Sequence, residues 1–306
     1  MTPMEKIRKL TESGNFHFTK SLGQNFLMDD NILEKLVRAA DISEEDAVIE
    51  IGPGAGIVTE KLLQTAGPVL AVEIDKALIP FLKETLVAYS NLTLWHEDVL
   101  KASLLDWIQT HSPEKPVKVV GNLPYYVTTP IIMKLLEDGL PIHTMVFMVQ
   151  KEVALRMAAS PGTKEYSALS VAVQVYCQVE KAFDVSANVF IPKPKVDSAV
   201  VRLRRHEKPP AEIEDPKLFF TLVKAAFGQR RKTLSNALST LRAKEEKQQI
   251  IEVLKAANID PIRRGETLNI QEFANISHLW KKAFPHDTME TDKIHIQLEN
   301  KHKQDS

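Results

Sequence analysis

A cluster of glycines in the first half of the chain suggests a binding site for a nucleotide-like molecule. Gly52, Gly54 and Gly56 lie in the stretch VIEIGPGAGIVTEKL, residues 48–62, between a short apolar run and a helix-like segment. Glycine permits positive φ and lets backbone amides approach a ligand, while the N-terminus of the following helix favours electron-rich groups. The next predicted strand ends with Glu73, 19 residues after Gly54, where a carboxylate can bind a ribose diol. For the glycines alone, a plain tight turn stays the alternative.

The spacing of these glycines argues against a dinucleotide. The dinucleotide fingerprint requires a third glycine three residues after the second, and Ile57 occupies that position. The GPGAG spacing with an acidic residue in the second strand instead resembles S-adenosylmethionine-dependent methyltransferases, which bind one nucleoside and a methionine tail. On this resemblance, Asp98 at the end of the following strand would accept a hydrogen bond from the exocyclic amine of the cofactor's adenine.

A second motif suggests methyl transfer to the amine of a base. The tetrapeptide Asn122-Leu123-Pro124-Tyr125 follows the fourth predicted strand and resembles the N-L-P-Y motif of amino-methyltransferases. An adenine amine is a poor nucleophile, so the nitrogen must be held in line with the methyl group and pyramidalised. The Asn122 side-chain oxygen and the Leu123 carbonyl can accept its two N–H bonds. Pro124 stiffens the turn, and Tyr125 can stack an extruded base, an interaction worth about 1–3 kcal/mol. Without the cofactor motifs, an ordinary Asn-x-Pro turn would be favoured.

The elements that must position these residues follow an alternating order. Short apolar runs alternate with helical segments, and the nearly continuous apolar character of the runs predicts a parallel sheet covered on both faces. The predicted strands are AVIEI (47–51), PVLAVEI (68–74), LTLWHED (92–98), VKVVGNL (117–123) and HTMVFMV (143–149). We therefore expect an α/β fold with a Rossmann-like class I methyltransferase sheet. An amphipathic helix, capped by Asp29 or Asp30, should precede it, and YSALSVAVQVYCQVEKAFDV and SAVVRLRR should complete one edge of the sheet.

The composition predicts two domains and a polar tail. Proline and charged residues cluster in RRHEKPPAEIEDP, as they do in linkers, and helical spacing of apolar residues follows. We expect a methyltransferase domain over residues 1–208 and a small helical RNA-binding domain over residues 209–285. Residues 286–306 are polar and lack periodicity, which predicts disorder.

Bulk composition restricts the location and the cofactor class. The chain has no apolar run long enough for a membrane span and no secretory leader, so a cytoplasmic protein is expected. Its one cysteine, Cys177, is expected to be a buried structural residue, and the scattered histidines predict no metal site. The net charge is −1, but the segment from Ile191 to Lys232 holds eleven basic and five acidic residues. This segment fits either a solvated basic face or an anionic partner.

Five segments, in order, resemble the ribosomal RNA adenine N6,N6-dimethyltransferase family, and most closely its bacterial small-subunit branch. They are KSLGQNFL (20–27), EIGPGAG (50–56), NLPYYVTTPI (122–131), VFIPKPKVDSAVVRL (189–203) and AFGQRRKTLSNAL (226–238). The resemblance covers residues from about 10 to about 280. It implies S-adenosyl-L-methionine as cofactor and dimethylation of two adjacent adenosines in a hairpin near the 3′ end of 16S RNA. It also implies a role in small-subunit biogenesis, with no oligomer required.

The same resemblance assigns roles to matching positions. Asn25 and Leu27 would lie over the methionine end of the cofactor, with Gly52 beneath it. Asn122 would lie between the cofactor and the target amine. Phe190 would form a sandwich around the target base together with Tyr125, although without the resemblance a phenylalanine after a valine is more often a core residue. The residues that would meet RNA phosphates are Lys193, Lys195, Arg202, Arg204, Arg205, Arg230, Arg231 and Lys232.

Three alternatives remain open from the sequence. Macrolide-resistance methyltransferases share the site motifs but modify a large-subunit adenosine, whereas PKPKVDSAVV and QRRKTLSNAL look more like the small-subunit branch. A DNA adenine methyltransferase would need a target-recognition domain, and the segment after residue 210 leaves little room for one. A ribosome-assembly factor that acts by occupancy is the third alternative, but intact Glu73, Asp98 and NLPY favour retained chemistry.

Overall fold

The computed structural model describes residues 1–12, 16, 23–229 and 231–285 of the chain. The chain forms two compact units. The first consists of Met1–Ala154 and Gln178–Arg205, and the second of Leu155–Cys177 and the residues from His206 onward. The predicted polar tail, residues 286–306, lies outside the described residues.

The first unit is built on a seven-stranded sheet. Its strands are β2 (Val48–Ile51), β3 (Val69–Glu73), β4 (Leu92–His96), β5 (Val117–Asn122), β6 (Ile142–Gln150), β7 (Cys177–Val185) and β9 (Ser198–Arg205). Their order across the sheet is β4-β3-β2-β5-β6-β9-β7. Strands β2 to β6 are parallel, and β9 is antiparallel to β6. Every residue of β2 and β3 is buried, as expected for parallel strands with both faces covered. The five predicted strands and the α/β class are confirmed.

Helices precede, connect and follow the parallel strands. They are α1 (Pro3–Glu12), α2 (Asp30–Ala40), α3 (Ile57–Thr65), α4 (Ile79–Thr85), α5 (Leu104–His111) and α6 (Thr128–Glu137), followed by α7 (Lys151–Met157). Helix α2 begins as expected, because the Asp29 side chain accepts hydrogen bonds from the amides of Asn31 and Ile32. It ends where Asp41 adopts a left-handed conformation with φ 52°.

A separate two-stranded ribbon joins distant parts of the first unit. Strand β1 (Phe26–Leu27) pairs antiparallel with β8 (Phe190–Ile191), so Leu27 lies opposite Phe190. The ribbon brings the motif that ends in GQNFL beside the VFIPKPK segment, which lies more than half the chain away in sequence. Local sequence patterns do not predict this pairing.

The prediction for the segment before β7 was wrong in part. Residues Ala168–Gln174 form helix α8 instead of strand, and β7 begins only at Cys177. Ser167 and Ser170 form a capping box at the start of α8. Every residue from Leu169 to Val173 is buried, and periodicity cannot distinguish a short helix buried all round from a buried strand. Strands β7 and β9 do complete one edge of the sheet, with β7 outermost.

The second unit is helical, as the sequence predicted. Its helices are α8, α9 (Pro216–Gly228), α10 (Leu234–Leu238), α11 (Lys247–Ala256) and α12 (Ile270–Ala283). The predicted boundary at residue 208 needs correction, because Leu155–Cys177 belongs to this unit. The Tyr166 ring lies 5.7 Å from that of Phe227 in an edge-on contact, and the Tyr176 ring stacks 6.4 Å from that of Phe220. These aromatic contacts attach the segment around α8 to α9.

Three expectations from composition bear on the described part of the chain. Cys177 is buried, in agreement with a structural role. None of the helices in the described ranges is long and apolar enough to cross a bilayer. Among the same residues, no group of three or more His, Cys, Asp or Glu side chains could hold a metal ion.

Candidate active site

One pocket in the first unit lies at the carboxyl ends of β2, β3 and β5. In open α/β sheets this edge is the usual place for ligands. All the residues that the sequence assigned to the cofactor or to the target base line this pocket: Asn25, Leu27, Gly52, Gly54, Glu73, Asp98, Asn122, Leu123, Pro124, Tyr125 and Phe190.

The glycine loop forms the floor of this pocket between β2 and α3. Gly52, Gly54 and Gly56 all have positive φ, at 72°, 58° and 69°. At Gly54 a side chain would also meet the aromatic ring of Phe26, since an added Cβ would lie 2.9 Å from its Cε1 atom. The loop therefore requires glycine at this position for two independent reasons, conformation and space.

Glu73 connects the end of β3 to the glycine loop. One carboxylate oxygen accepts a hydrogen bond from the Gly54 amide at 3.1 Å, and the other accepts one from the Asp75 amide at 2.8 Å. The side chain is only 4% exposed, and this burial raises the pKa of Glu73 above its ordinary value. Each carboxylate oxygen has a further lone pair, so the group can still accept hydrogen bonds from a ribose diol.

Asp98 lies two residues beyond the end of β4, because that strand ends at His96 instead of reaching residue 98 as predicted. Its carboxylate accepts a hydrogen bond from the Leu100 amide at 3.0 Å. This bond fixes the turn after β4 and leaves the second carboxylate oxygen for a ligand, with Lys101 4.0 Å away.

Glu50 is a pocket residue to which the sequence analysis assigned no role. It lies on β2 within an apolar run, is 2% exposed, and has one carboxylate oxygen with no partner in the described structure. Burial raises the pKa of Glu50 to about 8, and the nearby Glu73 carboxylate adds to this effect. A charged residue type inside an apolar strand, two residues before Gly52, was the signal that could have identified it.

We expect Glu50 to make the stability of the protein depend on pH. The folded-state pKa is about 8 and the ordinary value is 4.5, so between these values the folded state keeps a proton that the unfolded state releases. Stability contributed by this group therefore falls as pH rises through that window, by up to about 1.4 kcal/mol per pH unit. Glu50→Gln keeps a neutral group at every pH. Its free energy of unfolding, measured by urea denaturation, should therefore fall less between pH 5.5 and 8 than that of the parent.

The matched control for this experiment is Glu152→Gln, which removes an exposed carboxylate from α7. It should follow the pH dependence of the parent. Equal pH dependence in the parent and in Glu50→Gln would show that Glu50 is not the buried titrating group.

Asn122 has an orientation suited to a hydrogen-bond acceptor role. Its side-chain Nδ2 donates to the backbone carbonyl of Asn25 at 2.9 Å, which leaves the side-chain oxygen as the free end of the amide. Asn25 is itself fixed, since its Nδ2 donates to the Gly23 carbonyl at 2.9 Å. The Leu123 amide donates to the Met148 carbonyl of β6 at 3.1 Å. The turn that carries these acceptors is therefore anchored on both sides.

Two aromatic residues flank the same end of the pocket. Tyr125 is half-buried, its hydroxyl lies 3.0 Å from the Ser198 hydroxyl, and burial raises its pKa. Phe190 is 3% exposed and belongs to the buried core cluster while it also lines the pocket. The two interpretations left open by the sequence, core residue and pocket wall, therefore both describe Phe190.

The charge of the pocket lining discriminates between cofactor classes. Besides Glu50, which its raised pKa keeps neutral below about pH 8, the carboxyl side chains of Glu73, Glu97 and Asp98 line the pocket, and no Lys or Arg is found among the described lining residues. Such a lining would repel the diphosphate of a dinucleotide and suits a nucleoside that carries a positive charge. The residues present therefore fit S-adenosylmethionine, whose sulfonium is a cation.

The predicted phosphate contacts differ in their surroundings. Lys193, Lys195 and Arg204 are exposed in the first unit, and Arg231 and Lys232 are exposed in the second. These five side chains are available to solvent, and their contact with RNA stays a prediction.

Two of the other predicted phosphate contacts, Arg202 and Arg205, have partners within the first unit. Arg202 is paired with Glu180 at 2.5 Å, and Arg205 donates to the carbonyls of Leu135 and Leu136 at the end of α6. Part of the charge of these two side chains is thus used within the first unit. Arg230 lies outside the described residues.

The family model, the curated relatives and the solved structures that resemble this chain agree with one another. The family model for ribosomal RNA adenine dimethylases matches residues 15–275. A curated protein of Alkaliphilus oremlandii, named ribosomal RNA small subunit methyltransferase A, is 53% identical over 274 residues, which cover 90% of this chain and 96% of that protein. A crystal structure of a dimethyladenosine transferase from Plasmodium falciparum matches with a TM-score of 0.70 at 28% identity, over 84% of this chain and 98% of that one. The crystal structure of the 23S rRNA methyltransferase ErmE matches with a TM-score of 0.64 at 26% identity, over 83% and 98% of the two chains. The chain belongs to the ribosomal RNA adenine dimethylase family.

Proposed function

We propose that this protein dimethylates the exocyclic N6 amines of two adjacent adenosines in a hairpin near the 3′ end of 16S rRNA. The observation that carries the proposal is the single pocket that joins the glycine loop and Glu73 to the NLPY turn. In this proposal an adenosine-containing cation binds at one end of the pocket and a flipped base at the other. The protein is an S-adenosyl-L-methionine-dependent rRNA adenine dimethyltransferase, and the proposal adds the target position and the roles of individual residues.

The cofactor is held by one side of the pocket in this proposal. Glu73 accepts hydrogen bonds from the ribose, Asp98 accepts one from the adenine amine, and the bare backbone at Gly52 and Gly54 lies against the methionine part. Asn25 and Leu27 cover that part from the opposite side. When bound, S-adenosylmethionine supplies an electrophilic methyl group on a positively charged sulfur.

The target base is held by the other side. Tyr125 and Phe190 enclose the adenine, and the Asn122 side-chain oxygen and the Leu123 carbonyl accept the two N–H bonds of its amine. These acceptors direct the nitrogen lone pair and stabilise the positive charge that develops on nitrogen, without removing a proton in advance. The anchoring of Asn122 on the Asn25 carbonyl means that little reorganisation is needed during the reaction.

The choice of the small subunit as substrate is supported by the name of the 53% identical relative. The large-subunit alternative finds a structural counterpart in ErmE, but at 26% identity. A role in small-subunit biogenesis, and action in the cytoplasm where subunits mature, follow from the same substrate. A mainly non-catalytic assembly factor would not need Asn122 held with its oxygen as the free end of the amide.

The direct test uses purified protein, radiolabelled S-adenosylmethionine, and small and large ribosomal subunits from cells that lack these modifications. We expect label in small-subunit RNA, recovered as N6,N6-dimethyladenosine at two adjacent positions. Label in large-subunit RNA would assign the protein to the alternative branch. No label, combined with tight small-subunit binding, would favour the assembly-factor alternative.

Basic residues of the second unit should set the salt dependence of subunit binding. Replacement of Arg230, Arg231 and Lys232 by glutamine removes three positive charges that precede α10 in the sequence. If each meets a phosphate, the slope of log affinity against log salt should fall by about 2. The measurement is a salt titration of small-subunit affinity.

A control variant should neutralise three other exposed lysines of the same unit, Lys247, Lys255 and Lys282, on α11 and α12. It has the same net charge as the test variant, so it separates local phosphate contact from overall charge. If the control lowers the slope as much as the test variant does, contact at residues 230–232 is not the cause.

A further inference from the structure

Helix α1 places a buried ammonium group behind the glycine loop. Lys6 is only 1% exposed. Its Nζ donates a hydrogen bond to the backbone carbonyl of Gly56 at 2.8 Å and forms an ion pair with the Glu60 carboxylate, also at 2.8 Å. Gly56 is the residue that joins the glycine loop to α3, and Glu60 lies in the first turn of that helix.

The burial of this charge needs a reason beyond packing. Lysine is almost never fully buried unless it is paired, because removal of an ammonium from water is costly. The other buried residues of α1 are Pro3, Ile7 and Leu10, so an apolar residue at position 6 would continue the same buried face. A buried ion pair is weak grounds for a role in stability alone, since apolar replacements are often neutral.

The Gly56 carbonyl occupies a critical point of the loop. It accepts the first hydrogen bond of α3, from the Glu60 amide at 3.2 Å, and Gly56 has a φ of 69° with no side-chain cap. Glycine-rich backbone loses more conformational freedom on ordering than any other backbone. A charged donor that fixes the Gly56 carbonyl reduces the number of arrangements open to the peptide between the loop and the helix.

The contacts on the loop are divided between two sides. On the pocket side, Glu73 holds the Gly54 amide. On the opposite side, Lys6 holds the Gly56 carbonyl two residues later. The loop that carries the bare amides is therefore held at Gly54 and at Gly56 by carboxylate and ammonium side chains from other elements.

We propose that Lys6 is a positioning residue for the cofactor, whose ammonium holds the glycine loop in its binding conformation through the Gly56 carbonyl. Lys6 does not line the pocket, so it acts through the loop and not by contact with the ligand. The inference rests on the proposed cofactor role of the glycine loop. It means that the N-terminal helix is part of the binding machinery.

The test compares Lys6→Met with Lys9→Met in the full-length protein. Methionine keeps most of the length of lysine without the charge, and Lys9 lies on the same helix in an exposed ion pair with Glu84 at 2.9 Å. The probe is S-adenosylhomocysteine, with affinity measured by calorimetry below the unfolding temperature of both variants. A charged hydrogen bond of this kind predicts a loss of affinity of about tenfold for Lys6→Met and less than about twofold for Lys9→Met.

Kinetics provide a readout that a purely structural role would not change. For Lys6→Met we expect a higher KM for S-adenosylmethionine with kcat at saturating cofactor within about twofold of the parent, and unchanged affinity for the small subunit. A variant with a lower Tm but parental S-adenosylhomocysteine affinity would overturn the proposal.

A second variant keeps the test decisive if Lys6→Met does not fold. Lys6→Arg retains the charge for Glu60 but changes the geometry toward the Gly56 carbonyl, and we expect an intermediate loss of affinity. Parental affinity in Lys6→Arg with a displaced Tm would also overturn the proposal. Failure of the parent itself to bind S-adenosylhomocysteine would instead contradict the proposed cofactor role of the loop.

Discussion

Replacement of Asn122 by alanine is expected to reduce methyl transfer at least about 100-fold, the loss typical of removing one preorganised group that stabilises transition-state charge. The reason is that the side-chain oxygen of Asn122 is the acceptor proposed to orient the target amine. Affinity for S-adenosylhomocysteine should change little, because Asn25 stays anchored to the Gly23 carbonyl without Asn122. Single-turnover transfer to the small subunit and calorimetry of cofactor binding measure the two quantities separately.

Asn122→Asp provides the matched comparison. Aspartate keeps an oxygen acceptor at the same position but loses the Nδ2 donor that contacts the Asn25 carbonyl at 2.9 Å. Activity above that of Asn122→Ala would assign the effect to the acceptor, whereas equal activity would assign it to the anchor. If Asn122→Ala lost cofactor affinity and methyl transfer to the same extent, its proposed role toward the target amine would be wrong.

The parts of the site predicted by sequence are those that strand ends bring together. Gly54 follows one parallel strand, Glu73 ends its neighbour and Asn122 ends a third, so a correct strand order places all three at one edge. Each also has a residue type suited to its position: glycine for a positive φ, a carboxylate as acceptor, and an amide that is donor and acceptor. The pairing of Leu27 with Phe190 could not be predicted in this way, because it joins two-residue strands with no periodicity of their own. It entered only through the resemblance to a family.

Residues whose function depends on an unpredicted neighbour were missed. Glu50 is a polar residue within an apolar run, and Lys6 lies on the buried face of α1. A pattern can show that a position is buried without showing what it contacts. Lys6 contacts Gly56, 50 residues later in the chain. The error at Ala168–Gln174 has a different origin, since a run that is apolar on all sides has the same composition in a buried helix and in a buried strand.

Replacement of Gly54 by alanine should weaken S-adenosylhomocysteine binding by at least about 30-fold, with methyl transfer lost at ordinary cofactor concentrations. A left-handed conformation costs a residue with a Cβ about 1–2 kcal/mol, and overpacking costs about 1–3 kcal/mol in addition. The added Cβ would lie 2.9 Å from the Phe26 ring. That ring is 6% exposed and packs edge-on against Phe16 at 6.0 Å, so it has little room to move away. We therefore expect the loop backbone to shift, which would separate the Gly54 amide from the Glu73 carboxylate.

Gly139→Ala separates backbone strain from damage to the pocket. Gly139 has a φ of 66°, close to the 58° of Gly54, but an added Cβ there meets no atom within 4 Å. It follows the C-terminal end of α6 and does not line the pocket, so this variant should lower the unfolding free energy by the conformational cost alone and keep the parental cofactor affinity. Calorimetry with S-adenosylhomocysteine and urea denaturation on both variants give the comparison. Displacement of the loop from Glu73 should lower the affinity of any ligand that lies on the loop. If both variants lost stability equally and both kept parental affinity, the glycine loop would therefore not be the surface against which the cofactor binds.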